Sequence, residues 1–228
     1  MTKKLLPTLA AVSLAATSLI AFAPDAAAAD RTCRSSFTDT TVNGNVNVPI
    51  GATCTLTRVI VKGDIKVARG ATLVTHDGRV TGNVQGENAP RAITLNRTII
   101  SGNVQTKNAA GQVYLNRARV TGDVQAERNK GLVRLYRAWV LGDVQTKYTF
   151  SRVELSTIGG NVQHEEGLTS RVVSNWINGD VQVFKNRGEQ RISSNTIRGN
   201  LQCKENNPRP VGGNNEVRGS KEDQCRSL

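Results

Sequence analysis

Aromatic side chains make up only 4% of the 228 residues, with two histidines, one methionine and four cysteines in the whole chain. A core built around large rings is thereby excluded. The two histidines, His76 and His164, stand far apart and neither belongs to a recognisable nucleophile motif, so both are expected at ordinary surface or loop positions. No wider cluster of acid, base and positioning residues is present, and the expectation is a protein that is not an enzyme and carries no cofactor. No apolar run beyond residue 29 could cross a bilayer. Cys33 lacks the preceding small and aliphatic residues of a lipoprotein site, and Gln224 to Leu228 carry no sorting signal. A regular Thr-x-Thr face, as ice binding would need, is also missing.

The first 29 residues are set apart. Lys3 and Lys4 form a positive start, Leu5 to Phe22 an apolar stretch, and Ala27-Ala28-Ala29 a small-residue cleavage site before Asp30, which predicts a secretory signal peptide over 1–29. The expected product is secreted, extracellular or cell-wall associated, with no transmembrane segment after cleavage. The whole chain carries a formal charge of +12; without Lys3, Lys4 and Asp25, 28 basic and 17 acidic residues leave +11. Such a balance suits an anionic partner, outside the cell a wall polymer, an acidic polysaccharide or phospholipid head groups before nucleic acid, and it also serves plain solubility.

A repeat fills the remainder. The phrase Gly142-Asp143-Val144-Gln145 returns at Gly44, Gly63, Gly82, Gly102, Gly122, Gly160, Gly179 and Gly199, with a worn copy at Gly219. Steps of 18 to 20 residues are too short for paired helices and fit one coil of a β-solenoid. Two positions after the Gly the chain always places an aliphatic residue (Val46, Ile65, Val84 and onward to Leu201). Two positions before it does the same (Val42, Val61, Val80 and onward to Val217). Residues two apart on a strand share a face, so the two columns are read as flanking an inward Gly on one pinched strand. A third column, Leu95, Leu115, Leu135, Val153, Val172 and Ile192, belongs to a second strand. Each buried aliphatic contributes roughly 1.5–3 kcal/mol, so three columns sustain a narrow core without rings. The fold class expected is all-β, a single-stranded parallel β-helix of about nine to ten coils, right-handed because no six-residue aliphatic mark runs around the coil. The boundaries are an N-terminal cap over 30–41, repeats over 42–203, and a capping coil and tail over 204–228.

The recurring Gly-Asn/Asp-Val/Ile phrase resembles that of the bactofilins, polymer-forming bacterial β-helix proteins, from which this chain departs in its signal and cysteines. The runs Val48-Pro49-Ile50-Gly51-Ala52-Thr53-Cys54-Thr55-Leu56 and Leu201-Gln202-Cys203-Lys204-Glu205-Asn206-Asn207-Pro208 resemble more closely a group of uncharacterised secreted actinobacterial β-helix repeat proteins. The second resemblance covers most of the chain after the signal; it implies a fold and a location and no activity. The first implies self-assembly.

Cysteine spacing addresses the ends of the rod. Cys33 and Cys54 are 21 residues apart and Cys203 and Cys225 are 22 apart, about one coil each, so disulfides joining first with second and third with fourth are expected. A four-thiolate metal site finds no matching ligand spacing, and no metal site is expected.

Five columns are candidates for function. Gln85, Gln105, Gln125, Gln145, Gln163, Gln182 and Gln202 form an outward amide ladder or a strip for hydrogen-bonding a glycan. The adjacent Asn/Asp column puts Asp123 and Asp143 one rung apart, either a turn column or an oxygen site for Ca²⁺ of the kind polysaccharide lyases use. Arg134, Arg152, Arg171 and Arg191 occupy four successive coils on an outward column, and Arg97, Arg117 and Arg137 form a second basic run. Arginines stacked at ~5 Å repel unless an anion or a nearby carboxylate such as Glu154 or Glu189 answers them. Their planar forks suit carboxylate and phosphate, so a regular array would match an anionic polymer. Trp139 and Trp176 share an outward column with Thr157 between them, near Tyr136 and Tyr148, and offer either a platform for sugar rings or a cover over a gap. The function expected is a non-catalytic scaffold or binding protein of the envelope that holds anionic wall polymer or polysaccharide through the arginines. The rivals are a Ca²⁺-assisted polysaccharide-degrading enzyme and a self-polymerising protein.

Overall fold

The computed structural model describes residues 29–87 and 89–228; residues 1–28, on which nearly all of the expected signal falls, lie outside them. Among the described residues the chain is all-β and winds into a solenoid of three parallel sheets, with no helix. We name the sheets by the order in which one coil visits them. Sheet A has eleven strands, from Arg31–Thr32 to Lys221–Asp223, and sheets B and C have ten each. In one coil the chain passes through Val124–Glu127 (sheet A), Val133–Tyr136 (sheet B) and Trp139–Val140 (sheet C), then begins again at Val144–Lys147. Strand pairing carries beyond 42–203 into both terminal segments.

The register follows the repeat. Val124 pairs with Val144, Leu115 with Leu135 and Val120 with Val140 on neighbouring coils, and all six are buried. β-Branched residues dominate because one face of every strand packs inward while the pleat turns the alternate residues to solvent. Two of the three corners are made by residues in the left-handed region. Arg97, Arg117, Arg137, Leu155, Ser174 and Ser194 turn the chain from sheet B to sheet C, and Asn108, Arg128, Tyr148, Glu166 and Lys185 turn it from sheet A to sheet B.

The repeated Gly occupies the third corner, between sheets C and A, and not an inward place on a single strand. It is needed because coils touch there. A Cβ on any Gly from Gly63 to Gly219 in the column would lie 2.1 to 2.5 Å from the Oδ1 of the Asn or Asp one coil earlier, against backbone. That same Oδ1 accepts a hydrogen bond from the backbone N–H of the next Asn or Asp: Asp143 N–H donates to Asp123 at 2.9 Å and Asn161 N–H to Asp143 at 2.7 Å. Nine successive bonds of this kind run from Asn45 to Ser220. The two-residue phrase is thus one device: the Asn or Asp side chain caps the following coil, and Gly leaves room for it.

The core has more columns than three. The sheet A residue four after the Gly faces inward, as do two further positions on sheet B and its corner. Several are polar: Thr106, Thr146, His164, Ser151, Ser170 and Gln190 are all buried. Expected at the surface, His164 is instead 2% exposed. Its ring meets the Thr146 hydroxyl and, at 3.1 Å, Ser151 Oγ, hydroxyl partners that let a neutral imidazole sit in the core. His76 ends the strand Thr72–His76, half-buried.

Disulfides close both ends as the spacing predicts. Cys33 is joined to Cys54 and Cys203 to Cys225, with Cα separations of 5.5 and 5.2 Å. All four residues are fully buried, because the bridges run inside the core. Cys33 prolongs the first sheet A rung while Cys54 lies on sheet B, so that bridge crosses the interior from one wall to another. Such pairs fit an oxidising compartment. No helix among the described residues is long and apolar enough to cross a membrane.

Candidate anion-binding face

Sheet B carries the four-arginine ladder on its solvent face. Strand pairing aligns Tyr114, Arg134, Arg152, Arg171 and Arg191 rung on rung, with Leu115, Leu135, Val153, Val172 and Ile192 as the inward neighbours that fix their direction. The adjacent outward column holds Tyr136, Glu154, Val173 and Ser193 on the same four coils.

The carboxylates named in the sequence answer the two ends of the ladder. Glu154 receives Nε and Nη2 of Arg134 at 3.1 and 2.9 Å, and Glu189 lies 3.5 Å from Arg191. Arg134 also stands over Tyr136 and Tyr114, 4.9 and 5.6 Å from the ring centroids. Between these ends, Arg152 and Arg171 make no ion pair among the described residues. Arg171 Nε is moreover the one side-chain polar atom in the described core or boundary that is sealed from solvent without a hydrogen-bond partner. A buried orphan donor costs about 1–3 kcal/mol, more on a charged group, unless an acceptor is brought to it.

The second basic run sits on the ridge between sheets B and C, partly neutralised. Arg58 and Arg97 each grip an Asp one coil earlier: Nε and Nη2 of Arg58 reach Asp39 at 2.6 Å, and those of Arg97 reach Asp77 at 2.6 and 2.7 Å. These side-chain hydrogen bonds hold both carboxyls below their ordinary values. Beyond Arg97 the alternation stops, and Arg117 and Arg137 stand exposed without an acidic partner among the described residues. Arg137 stacks 5.3 Å from the Tyr136 centroid and so extends the sheet B patch around its edge.

The other candidates lie elsewhere. Trp139, Thr157 and Trp176 do share a column, but on sheet C, so the arginine ladder and the tryptophans occupy different walls. Tyr136 belongs to sheet B and Tyr148 to the corner after sheet A; neither joins the tryptophans. The glutamines face outward on sheet A as a ladder, Gln163 donating to Gln182 at 2.9 Å and Gln182 to Gln202 at 3.0 Å. Beside them Lys107, Glu127, Lys147 and Glu165 alternate in charge, Lys107 reaching Glu127 at 3.0 Å. Sheet A is therefore close to neutral. Asp123 and Asp143 stand one rung apart, but each spends an oxygen on a backbone N–H of the next coil, and no group of three or more candidate metal ligands occurs among the described residues.

The architecture defines the chain as a disulfide-bonded β-solenoid repeat protein. No family model, curated protein or solved structure matches it.

Proposed function

We propose that this chain is a secreted, non-catalytic protein of the cell envelope that binds an anionic polymer lengthwise along sheet B. The observation that carries the reading is the unanswered middle of the ladder, Arg152 and Arg171, which have no acidic partner among the described residues. Two guanidinium groups on adjacent rungs, ~4.8 Å apart, present forked donors to carboxylates or phosphates that recur along a chain. Tyr136 and Arg137 widen the same patch. A polymer running with the solenoid axis gains one such contact per rung, so modest contacts add up over its length. The two disulfides and the N-terminal signal support a place outside the cytoplasmic membrane.

The test is retention on purified Gram-positive cell wall, before and after the wall is stripped of anionic polymers, at low and high salt. Retention is expected to vanish on stripping and to weaken with salt, since the exposed part of the contact is screened. Arg152→Gln with Arg171→Gln should lower retention about tenfold or more, a loss of ~1.4 kcal/mol at least. Unchanged retention in that double variant would remove sheet B from the account.

A further inference from the structure

Sheet C has a composition unlike the other two walls. Its outward column reads Ile60, Arg79, Ile99, Arg119, Trp139, Thr157, Trp176 and Thr196, rung on rung. The position after each inward aliphatic adds Lys62, Leu141, Arg198 and Arg218. Four large apolar side chains of this wall are left partly in solvent, Ile60 at 42% exposed, Ile99 at 39%, Leu141 at 50% and Trp176 at 37%, with Leu155 at 49% on the bordering ridge. Neither column holds a carboxylate until Glu216 in the last rung.

We propose that sheet C is a docking face for an anionic phospholipid surface, on which the rod lies flat. Large apolar side chains that recur along one face with cations between them have the pattern of an interaction surface. The mixture selects the partner. Isoleucine and leucine offer nothing to the hydroxyls of a glycan, whereas aliphatic, indole and guanidinium groups side by side match the acyl boundary, the interface and the head groups of an anionic bilayer. Arg119 stacks over Trp139 at 4.0 Å and Arg198 over Trp176 at 4.9 Å, so each ring carries its cation with it. The wall is a parallel sheet of ten rungs, long in one direction, which suits contact along an extended surface. Asp64, Asp123, Asp143 and Asp180 border it, but their Oδ1 atoms are directed along the axis to the backbone amides of the next coil. The opposite edge, the ridge shared with sheet B, holds the Arg58–Asp39 and Arg97–Asp77 ion pairs and, further along, Arg117 and Arg137.

This face is a different wall from the sheet B ladder and shares with it only the ridge that carries Arg137, and the chain supplies its own reporters, because both of its tryptophans stand on sheet C. The experiment mixes the disulfide-bonded protein with vesicles of phosphatidylcholine, with and without phosphatidylglycerol, carrying brominated acyl chains. Expected are co-sedimentation with the phosphatidylglycerol vesicles, a blue shift of tryptophan emission and quenching by bromine. Ile99→Ser with Leu141→Ser should weaken binding about tenfold, while Arg152→Gln with Arg171→Gln leaves the quenching intact. Absence of binding, binding without quenching, equal binding to phosphatidylcholine alone, or indifference to the Ile99 and Leu141 changes would each overturn the proposal. So would a blue shift produced by a soluble acidic glycan in place of vesicles, which would make the face a sugar platform. Failure of the wall-polymer reading would appear separately, as loss of wall retention with vesicle binding unaffected.

Discussion

His164 faces inward between Thr146 and Val183 of the same column, and desolvation pushes its pKa down from the ordinary 6.5 to about 4. In the unfolded chain the imidazole takes a proton near its ordinary value. Between the two values the unfolded state binds the proton that the fold refuses. Its contribution is therefore complete above about pH 6.5 and is lost as pH falls toward about 4, by up to ~3 kcal/mol. His164→Val, which continues the aliphatic Val183, should flatten this part of the profile. Urea midpoints of the two proteins between pH 7 and pH 4 are the measurement, and parallel curves would show that the histidine is not the titrating group. Its burial was not legible beforehand: a polar residue in a column that runs Thr106, Ala126, Thr146, His164 and Val183 gives hydropathy no face to detect.

At the scale of the element, the solenoid holds two kinds of amide ladder with different energetics. The glutamines of sheet A bond to one another in partial contact with water. At the inner corner after sheet B, Ser156, Asn175, Asn195 and Asn215 form a buried series in which each backbone N–H donates to the next side chain, Asn175 N–H to Asn195 Oδ1 at 3.0 Å and Asn195 N–H to Asn215 Oδ1 at 3.1 Å. Asn195 Nδ2 also reaches the Val172 carbonyl at 2.7 Å. Asn195→Ala should cost ~3 kcal/mol because it strands buried partners, whereas Gln145→Ala should stay within about 0.5 kcal/mol; chemical denaturation of the two variants makes the comparison, and similar costs would refute it. The glutamine column was plain in the sequence because it follows the Gly phrase at a fixed step. Asn175, Asn195 and Asn215 recur every 20 residues as well, as do Asn186 and Asn206, so a period search over asparagines alone would have found them. Where the coil turns could not be read, since residues as unlike as Arg137, Leu155 and Ser174 adopt the same left-handed corner. The Gly column was visible as a repeat and misplaced as a strand, because its reason lies in the coil before it.

The whole molecule is a stack in which each coil meets only its neighbours, so stability is distributed along the rod. Removing the Cys203–Cys225 bridge by paired Ala substitutions releases a loop of about 22 residues and should cost about 3 kcal/mol. The effect should stay local: amide exchange is expected to accelerate through Leu201–Lys204 and Lys221–Asp223 and to remain unchanged at Val144–Lys147. Uniform acceleration would instead show one cooperative unit. The chain-order pairing of the cysteines, the parallel stacking and the three aliphatic columns were all legible, since a period of 18 to 20 residues puts each of them one coil apart. The division of the outer surface into a neutral wall, an arginine-ladder wall and a wall that mixes apolar and cationic side chains was not, because it depends on which corner each outward column follows.

The contact between Gly and the oxygen of the coil before it has a consequence for length. Deleting residues 102–121 would set Gly122 on the Asn83 side chain, where Gly102 sat, and every later coil would keep its own neighbours. The rod is thus a ruler graduated in steps of ~4.8 Å, and a lineage could lengthen or shorten its reach one mark at a time without reworking any joint.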